Sequence, residues 1–424
     1  DELLFFSLYY LVILLLKLFI NNILYSSSIK FKNEVGIKFY MKIKIISEYP
    51  PTQGGIAEYT KHLVNSLRKI GIEQKIIRIK KHTSSNPFYF LNLARKAAKG
   101  SSKNDVIHIQ LQLAMFGKLF WILPGFYIII FWVWLKLFTE AKIVVTLHDS
   151  PTKAYAIKKG GKEKTFFYYY KFIYMFLKTF VDQFIVHSKN GEKINVEEWK
   201  INKERIITIP LGLPTNIVKL DKNECKNKLR YPNKKILLIL GYIRRSKNYS
   251  IVLESLKKLN KNVILLIMGT VQLEKDKIVY ENILKKIREF GLEERVKLLG
   301  FVGEKEMPLL LNATDVGITL HSQGSGDFLS STMAMQLAYN IPLLSTNIPS
   351  FENLKKEGKC IETFNENDLS DLTEKIKILL YDKSKIRYLR IQTQKYLKKN
   401  NWDEIGKKTK KLYLSLLNGS KNEN

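Results

Sequence analysis

Cysteine is nearly missing from this chain: 424 residues hold two, Cys225 and Cys360. That excludes a disulfide-stapled scaffold and any cysteine-rich metal site, and it fits a reducing compartment. The dinucleotide fingerprint G-x-G-x-x-G is absent, and so is a Walker lysine followed by Ser or Thr, so P-loop ATPase chemistry has no support. No nucleophile-elbow pattern suggests a Ser-His-Asp triad. There is no low-complexity tract. Acidic residues are few: 39 Asp and Glu stand against 70 Lys and Arg, a net charge of +31. Such an excess points to polyanions, whether nucleic acid, anionic lipid or phosphorylated substrates. Only 11 of the basic residues are Arg and 59 are Lys, spread evenly, so compositional bias is the competing explanation. No nucleic-acid-binding motif is present.

What remains is an ordinary globular balance, 46% hydrophobic and 26% charged. It excludes wholesale disorder, a collagen-like chain and a polytopic membrane protein. The length exceeds one ordinary core, so at least two domains are expected.

The N-terminus carries a hydrophobic segment over residues 1–40. Leu3 to Ile20 is apolar except for Ser7 and Lys17, about the minimum length to span a bilayer. Lys30, Lys32, Lys38, Lys42 and Lys44 follow, which by the positive-inside rule keeps the body cytoplasmic. No small-residue cleavage site follows, which argues against a signal peptide. Two readings stand: a membrane anchor, or an upstream extension before a start at Met41.

From Met41 onward, short β-rich runs alternate with helical periodicity. Strands are predicted at 42–46, 74–79, 106–110, 143–147, 184–187 and 206–209, with a helix over 56–70. This is the pattern of a parallel, doubly wound α/β sheet. A charged, apolar-poor stretch at 220–234 reads as a linker. The pattern then restarts, with strands at 236–240, 263–267, 296–299, 316–320 and 342–345 and helices from about 367 to 417. The expected organisation is a first Rossmann-like domain over 41–219, a linker over 220–234, a second Rossmann-like domain over 235–400 and a terminal helical segment over 401–424. Two such halves imply a cleft, with ligands at the C-terminal ends of the strands. In the first half, 113–138 is rich in Trp and Phe but broken by Gly117, Lys118, Pro124 and Gly125. It reads either as a buried helix packed on the sheet or as a surface helix dipping into the bilayer interface, with 168–180 extending the same face.

Three loops carry candidate chemistry. After the first strand, Gly54 and Gly55 precede a helix beginning Ile56-Ala57-Glu58-Tyr59. Paired glycines there let backbone amides approach an anion, though a plain tight turn has the same composition. The second half opens with Gly241-Tyr242-Ile243-Arg244-Arg245-Ser246-Lys247-Asn248. A glycine after a strand, then two Arg and a Lys before a helix, makes a diphosphate grip; a solvated basic turn is the alternative. The third loop is His321-Ser322-Gln323-Gly324-Ser325-Gly326-Asp327-Phe328-Leu329. It leads to Ser330, Ser331 and Thr332, which would cap the following helix and direct its free amides at an anion. Asp327 is the sole carboxylate of that loop.

Taken in order, these segments resemble the GT-B-fold retaining glycosyltransferases of family four (glycosyl transferases group 1). The similarity runs from about Met41 to the end. It rests on GGIAEY at Gly54, DVIHIQ at Asp105, VVTLHD at Val144, FIVHSK at Phe184, ITIPLG at Ile207, GYIRRSKN at Gly241, LLGFVGEKEM at Leu298, NATDVGITL at Asn312 and WDEIGKKTKKLY at Trp402. The resemblance implies transfer of a hexose from a UDP- or GDP-sugar, with retention, to a lipid-linked or polysaccharide acceptor. It implies no metal or other cofactor, no nucleic-acid partner, and work at an anionic membrane surface, on its cytoplasmic face. By the same resemblance, Gly54, Gly55 and Tyr59 form the sugar and acceptor loop, and His148 and Asp327 are the catalytic candidates. Gly241, Arg244, Lys247, Ser330, Ser331 and Thr332 hold the donor diphosphate. Gly269, Phe301, Val302 and Met335 line the nucleotide cleft. For His148 a hydrogen-bonded supporting role is the alternative. One departure stands out: the family's Glu-x7-Glu pair falls here at Asp327 and Met335, and Met cannot accept ribose hydrogen bonds well. Two other classes therefore stay open: a degenerate homologue that binds nucleotide or glycan without turnover, and a basic membrane- or polyanion-binding protein.

Overall fold

A computed structural model describes residues 41–52, 54–80, 86–119, 123–159, 165–322 and 330–419. The N-terminal segment and Asp327 lie outside the described residues. The first sheet contains β1 (Ile43–Ser47), β2 (Gln74–Arg78), β3 (Val106–Leu111), β4 (Lys142–Leu147), β5 (Gln183–Val186) and β6 (Ile206–Thr208). All pair in parallel, in the order β2-β1-β3-β4-β5-β6. Residues 43–46, 106–111 and 143–147 are buried on both faces, which is why these strands read as continuous apolar runs. Helices α1 (Gly55–Lys69), α2 (Pro87–Ala98), α3 (Ile128–Phe138), α4 (Lys153–Lys159), α5 (Thr165–Phe180) and α6 (Lys189–Lys193) lie between them. Lys44, inside β1, is buried, and its ammonium donates to the Ala97 and Lys99 carbonyls at 2.8 and 2.6 Å. A strand cation thus satisfies the open C-terminal carbonyls of α2.

The aromatic stretch of the first half is largely interior. Phe131 and Trp132 of α3 are fully buried, and Phe116 packs on Phe90 and Phe131. In α5, Tyr174 stacks on Trp199 at 4.6 Å. The buried-helix reading therefore holds for the body of α3; only its last turn leaves Leu137 and Phe138 exposed. No described helix is long and apolar enough to cross a membrane.

The expected linker carries a helix, α7 (Lys222–Lys228), capped by the Asp221 carboxylate. It belongs to the second domain: Lys222 and Lys226 pair with Asp315 at 3.0 and 2.7 Å, and Asp315 also accepts from the Ile236 amide. This helix is held by a half-buried ion cluster, so its sequence lacks the apolar stripe that marks most helices.

The second sheet contains β7 (Lys235–Leu240), β8 (Val263–Met268), β9 (Val296–Gly300), β10 (Val316–Thr319), β11 (Leu343–Thr346) and β12 (Glu362–Phe364). Its order is β9-β8-β7-β10-β11-β12, again all parallel. Its helices are α8 (Tyr249–Lys258), α9 (Lys277–Glu289), α10 (Met307–Ala313), α11 (Ser331–Ala338), α12 (Pro349–Gly358), α13 (Leu369–Tyr381) and α14 (Lys383–Asn400). The last helix, α15 (Trp402–Gly419), returns to the first domain. Trp402 packs edge-on against Tyr59, Asp403 pairs with Lys69 at 2.9 Å, and Gly406 sits against Ser66, where a Cβ would lie 2.8 Å from the serine oxygen. Two parallel-sheet domains with this returning helix make up the GT-B architecture.

Candidate active site

Each sheet reverses its strand order at one point, the place where open α/β sheets of this kind form a ligand crevice at the C-terminal strand ends. In the second sheet that point lies between β7 and β10. The first helix turns that flank it carry the basic loop and the serine-rich cap.

Gly241 follows β7 with φ +106°, a conformation open to glycine. A Cβ there would lie 2.9 Å from Thr332 Cγ2 and 3.6 Å from the Lys247 ammonium. Gly269, after β8, lies against the Gly241 backbone, where a Cβ would sit 2.7 Å from the Gly241 carbonyl carbon. Glycine is thus required at both positions for two loops to meet. Gly241, Lys247 and Thr332 converge on one spot at the start of α11. Ser330 caps that helix by accepting from the Met333 amide at 3.4 Å, and it shares a 2.7 Å hydrogen bond with the Thr332 hydroxyl. The Lys247 ammonium thus lies near the first turn of α11, an arrangement whose chemistry suits an anion at a helix terminus.

Burial and the neighbouring Arg244 charge push the Lys247 ammonium down to about 8. Arg244 is exposed, lies 5.5 Å over the Tyr242 ring and donates to Gln272 Oε1 at 2.7 Å. Arg245 points elsewhere: it donates to the Lys275 carbonyl and to Asp276 through its backbone, which ties down the neighbouring loop. Of the two arginines, only Arg244 remains beside Lys247. His321 sits next to this pair. Its amide donates to Thr346 Oγ1, its ring meets Phe351 edge-on, and burial with the Lys247 and Arg244 charges lowers it to about 3. It is a neutral imidazole against two cations. Sequence reasoning gave it no role, although it lies two residues past the end of β10.

The nucleotide-cleft candidates divide. Met335 is half-buried and packs against the same apolar cluster as Val302 and Met268, so its surroundings are hydrophobic. Phe301 is 78% exposed at the end of β9.

The first domain supplies the opposite wall. Gly54 and Gly55 lead into α1, and a Cβ on Gly55 would lie 3.9 Å from Ser331 Oγ. The glycine loop of one domain therefore faces the capped helix of the other across the crevice. Behind it lies a layer of histidines. His148, just past β4, bonds through Nε2 to Gln110 Oε1 at 2.8 Å and through Nδ1 to His187 Nε2 at 3.4 Å. Tyr59 lies edge-on to it at 4.8 Å. Burial, then the neighbouring His187 and His108, hold His148 well below its usual value, so it is neutral. Both its ring nitrogens are engaged within the protein. Sequence reasoning did not join His108, Gln110 and His187 to it. The available signal was parity: each of these residues shares the side of its strand that points to one face, and parallel register stacks them in one layer. Among the described residues, no group of three or more His, Cys, Asp or Glu could hold a metal ion.

Comparison with known proteins adds two findings. No curated protein sequence matches the chain. Solved structures share its fold at low identity. A protein of Anabaena, Alr3699/HepE in complex with UDP, gives a TM-score of 0.69 at 15% identity, covering 88% of this chain and 100% of its own. A glycosyltransferase of Rickettsia africae gives 0.67 at 16%, covering 89% and 99%. Sucrose-phosphate synthase of Thermosynechococcus elongatus gives 0.67 at 16%, covering 89% and 100%. Residues 221–401, which include Gly241, Lys247 and α11, match the family model described as "Glycosyl transferases group 1".

Proposed function

We propose that this chain is a retaining glycosyltransferase that moves a hexose from a nucleotide diphosphate sugar to a lipid-linked or polysaccharide acceptor at the cytoplasmic face of a membrane. The observation that carries the proposal is the convergence of Lys247, Gly241 and the first turn of α11 opposite Gly55. A cation, a close backbone approach and a helix N-terminus at one point suit a diphosphate. Breaking a bond to a nucleoside diphosphate requires stabilising the negative charge that develops on it, and fixed cations and amides do this without reorganising. Arg244 extends the positive field at the rim. The UDP, UDP with glucose, and UDP-glucose complexes of the Anabaena protein of like fold favour a UDP-sugar as donor. The +31 charge and the exposed end of α3 favour an anionic lipid surface as the working location.

The test is thermal unfolding of the full chain with UDP, GDP, ADP and their sugar conjugates. Ligand at about 100 times its dissociation constant adds about 2.7 kcal/mol of stability. Stabilisation by one base family supports the donor site and names its class, and transfer assays with lipid acceptors follow. Equal melting curves with every nucleotide would sink the proposal. Stabilisation by a nucleotide without measurable transfer would favour a binding protein, and Met335, in its apolar cluster, would be the first position to change to Glu.

A further inference from the structure

The two edges of the first sheet carry different surfaces. All six strands are parallel, so they begin on one edge and end on the other. Gly55, His148 and His187 stand on the edge where strands end. Helices α2, α3 and α5 run back against the strands, so their last turns lie on the edge where β3, β4 and β5 begin. There the surface is both aromatic and basic. Trp134 stacks on Phe138 at 5.0 Å, and the exposed Arg95 of α2 lies 6.0 Å over each ring. Leu137 and Phe138 are each 41% exposed. Lys42, Lys96, Lys99, Lys103 and Lys136 are exposed on the same edge. Its carboxylates are fewer. Asp105 accepts from the Lys42 and Ser102 amides, and Asp182 accepts from the Ile143 amide and lies 3.9 Å from the Lys142 ammonium. Glu73 and Glu140 are exposed. Met41, just before β1, is on this edge too, and the apolar run Leu3–Ile20 stands upstream of it in the sequence.

We propose that this strand-start edge of the first domain docks on an anionic lipid surface, and that the acceptor is therefore the far end of an extended lipid-linked glycan. Exposed rings and a leucine among lysines are the combination that a lipid interface selects: the rings enter the headgroup boundary and the cations meet lipid phosphates. Arg95 holds its charge over the two rings, so cation and apolar surface are presented together. The excess of lysine over carboxylate gives the charge complementarity that an apolar patch alone lacks. The distance across the sheet then fixes the acceptor. Strands β3 and β4 are six residues long, about 20 Å at about 3.3 Å per residue. The glycine loop and His148 stand about that far from the docked edge. A single sugar on a lipid phosphate stays at the surface, whereas the outer end of a longer glycan reaches the strand ends. This inference rests on the membrane and transferase reading above; it adds which edge docks and how long the acceptor is.

The test uses the full chain with an environment-sensitive fluorophore at Leu137→Cys or, as a control, at Phe88→Cys. Phe88 is 73% exposed near the start of α2, on the opposite edge. Both substitutions are at exposed positions, and the two natural cysteines are buried, with the Cys360 thiol pushed up to about 12. Vesicles of phosphatidylcholine with phosphatidylglycerol should shift the emission of the label at 137 to the blue and leave the label at 88 unchanged. The shift should fade in high salt and in phosphatidylcholine alone. A silent label at 137 on a chain that sediments with the vesicles would overturn the docking edge and leave the membrane location standing. A blue shift at 88 instead would assign docking to the other edge and overturn the proposal. Failure to sediment with any vesicle would sink docking and location together, while nucleotide stabilisation still reports on the donor site by itself. On the same vesicles, transfer to a lipid-linked oligosaccharide should exceed transfer to a lipid-linked single sugar by roughly a hundredfold, the cost of misplaced reacting groups. Equal or reversed rates would overturn the acceptor length.

Discussion

The two walls of the crevice solve the same geometric problem with opposite chemistry. Both sit at the strand-order reversal of a six-stranded parallel sheet, and both begin with a glycine loop running into a helix. The second-domain wall is cationic and partly solvated, with Lys247, Arg244 and the amides of α11. The first-domain wall is largely buried, with His108, His148 and His187 bonded into one layer under Tyr59 and burial keeping His108 and His148 neutral. On the proposed reading, charge near solvent meets the anionic part of the donor, while the buried layer supplies fixed hydrogen-bond directions by excluding water.

Four outcomes would sharpen or break that contrast. The largest concerns the cationic wall. Lys247→Ala should lower kcat/KM for the donor by about 10²–10³-fold, read in transfer assays with the nucleotide sugar that stabilises the fold, as for loss of one preorganised donor to a developing anion. A small loss would mean that Lys247 is not the anion contact.

Next come the two glycines. Gly241→Ala places a Cβ 2.9 Å from Thr332 Cγ2 at φ +106° and should cost about 1–3 kcal/mol by denaturant unfolding. Gly55→Ala meets Ser331 Oγ at an ordinary 3.9 Å and should stay within about 0.5 kcal/mol. Equal costs would show that the loops are not distinguished by close packing.

Acidity separates the buried histidines from the lysine by sign. His108 and His321 are lowered to about 3 from 6.5, so the unfolded chain binds protons that the folded one refuses. Stability contributed by these neutral rings should be present above pH 6.5 and lost progressively as pH falls from there towards 3. Lys247 is lowered to about 8 from 10.5, so its cost to folding is relieved as pH rises from 8 to 10.5. Nucleotide affinity should decline over the same rise, because the ammonium charge is lost. Melting curves and nucleotide titrations across pH test both signs.

The smallest effect is expected for Ser330→Ala. It removes the cap of α11, worth about 1 kcal/mol in general, and the long 3.4 Å bond to the Met333 amide puts it at the lower end. A similar change in the melting curve with and without nucleotide would show that the cap serves the helix and not the ligand.

Much of the fold was legible because buried parallel strands announce themselves. The runs at 43–47, 106–111, 236–240 and 263–268 are β-branched or leucine-rich and match the structure within a residue or two. The edge strand Glu362–Phe364 was not foreseen: three residues on the sheet edge carry no period. The helix Lys222–Lys228 was read as linker because Asp315 with two lysines and a single buried apolar side chain, Cys225, hold it, which leaves no apolar stripe to read. In the site, the basic loop and the serine cap were visible as strand-to-helix turns. The separation of Arg244 from Arg245 was not, since it depends on where Lys275 and Gln272 sit.

The sequence alone determined which residues end each strand and on which side they stand, because side-chain alternation is local and obligatory. It therefore set Gly241, His148 and His187 at strand ends. Only the tertiary structure decided their partners. Gly55 meets Ser331 because two separately wound sheets face each other, and Tyr413 meets His108 because the last helix crosses back to the first domain. Such contacts join groups hundreds of residues apart, and hydrogen-bond direction in a buried layer depends on the whole chain of partners rather than on any one residue's neighbours in sequence.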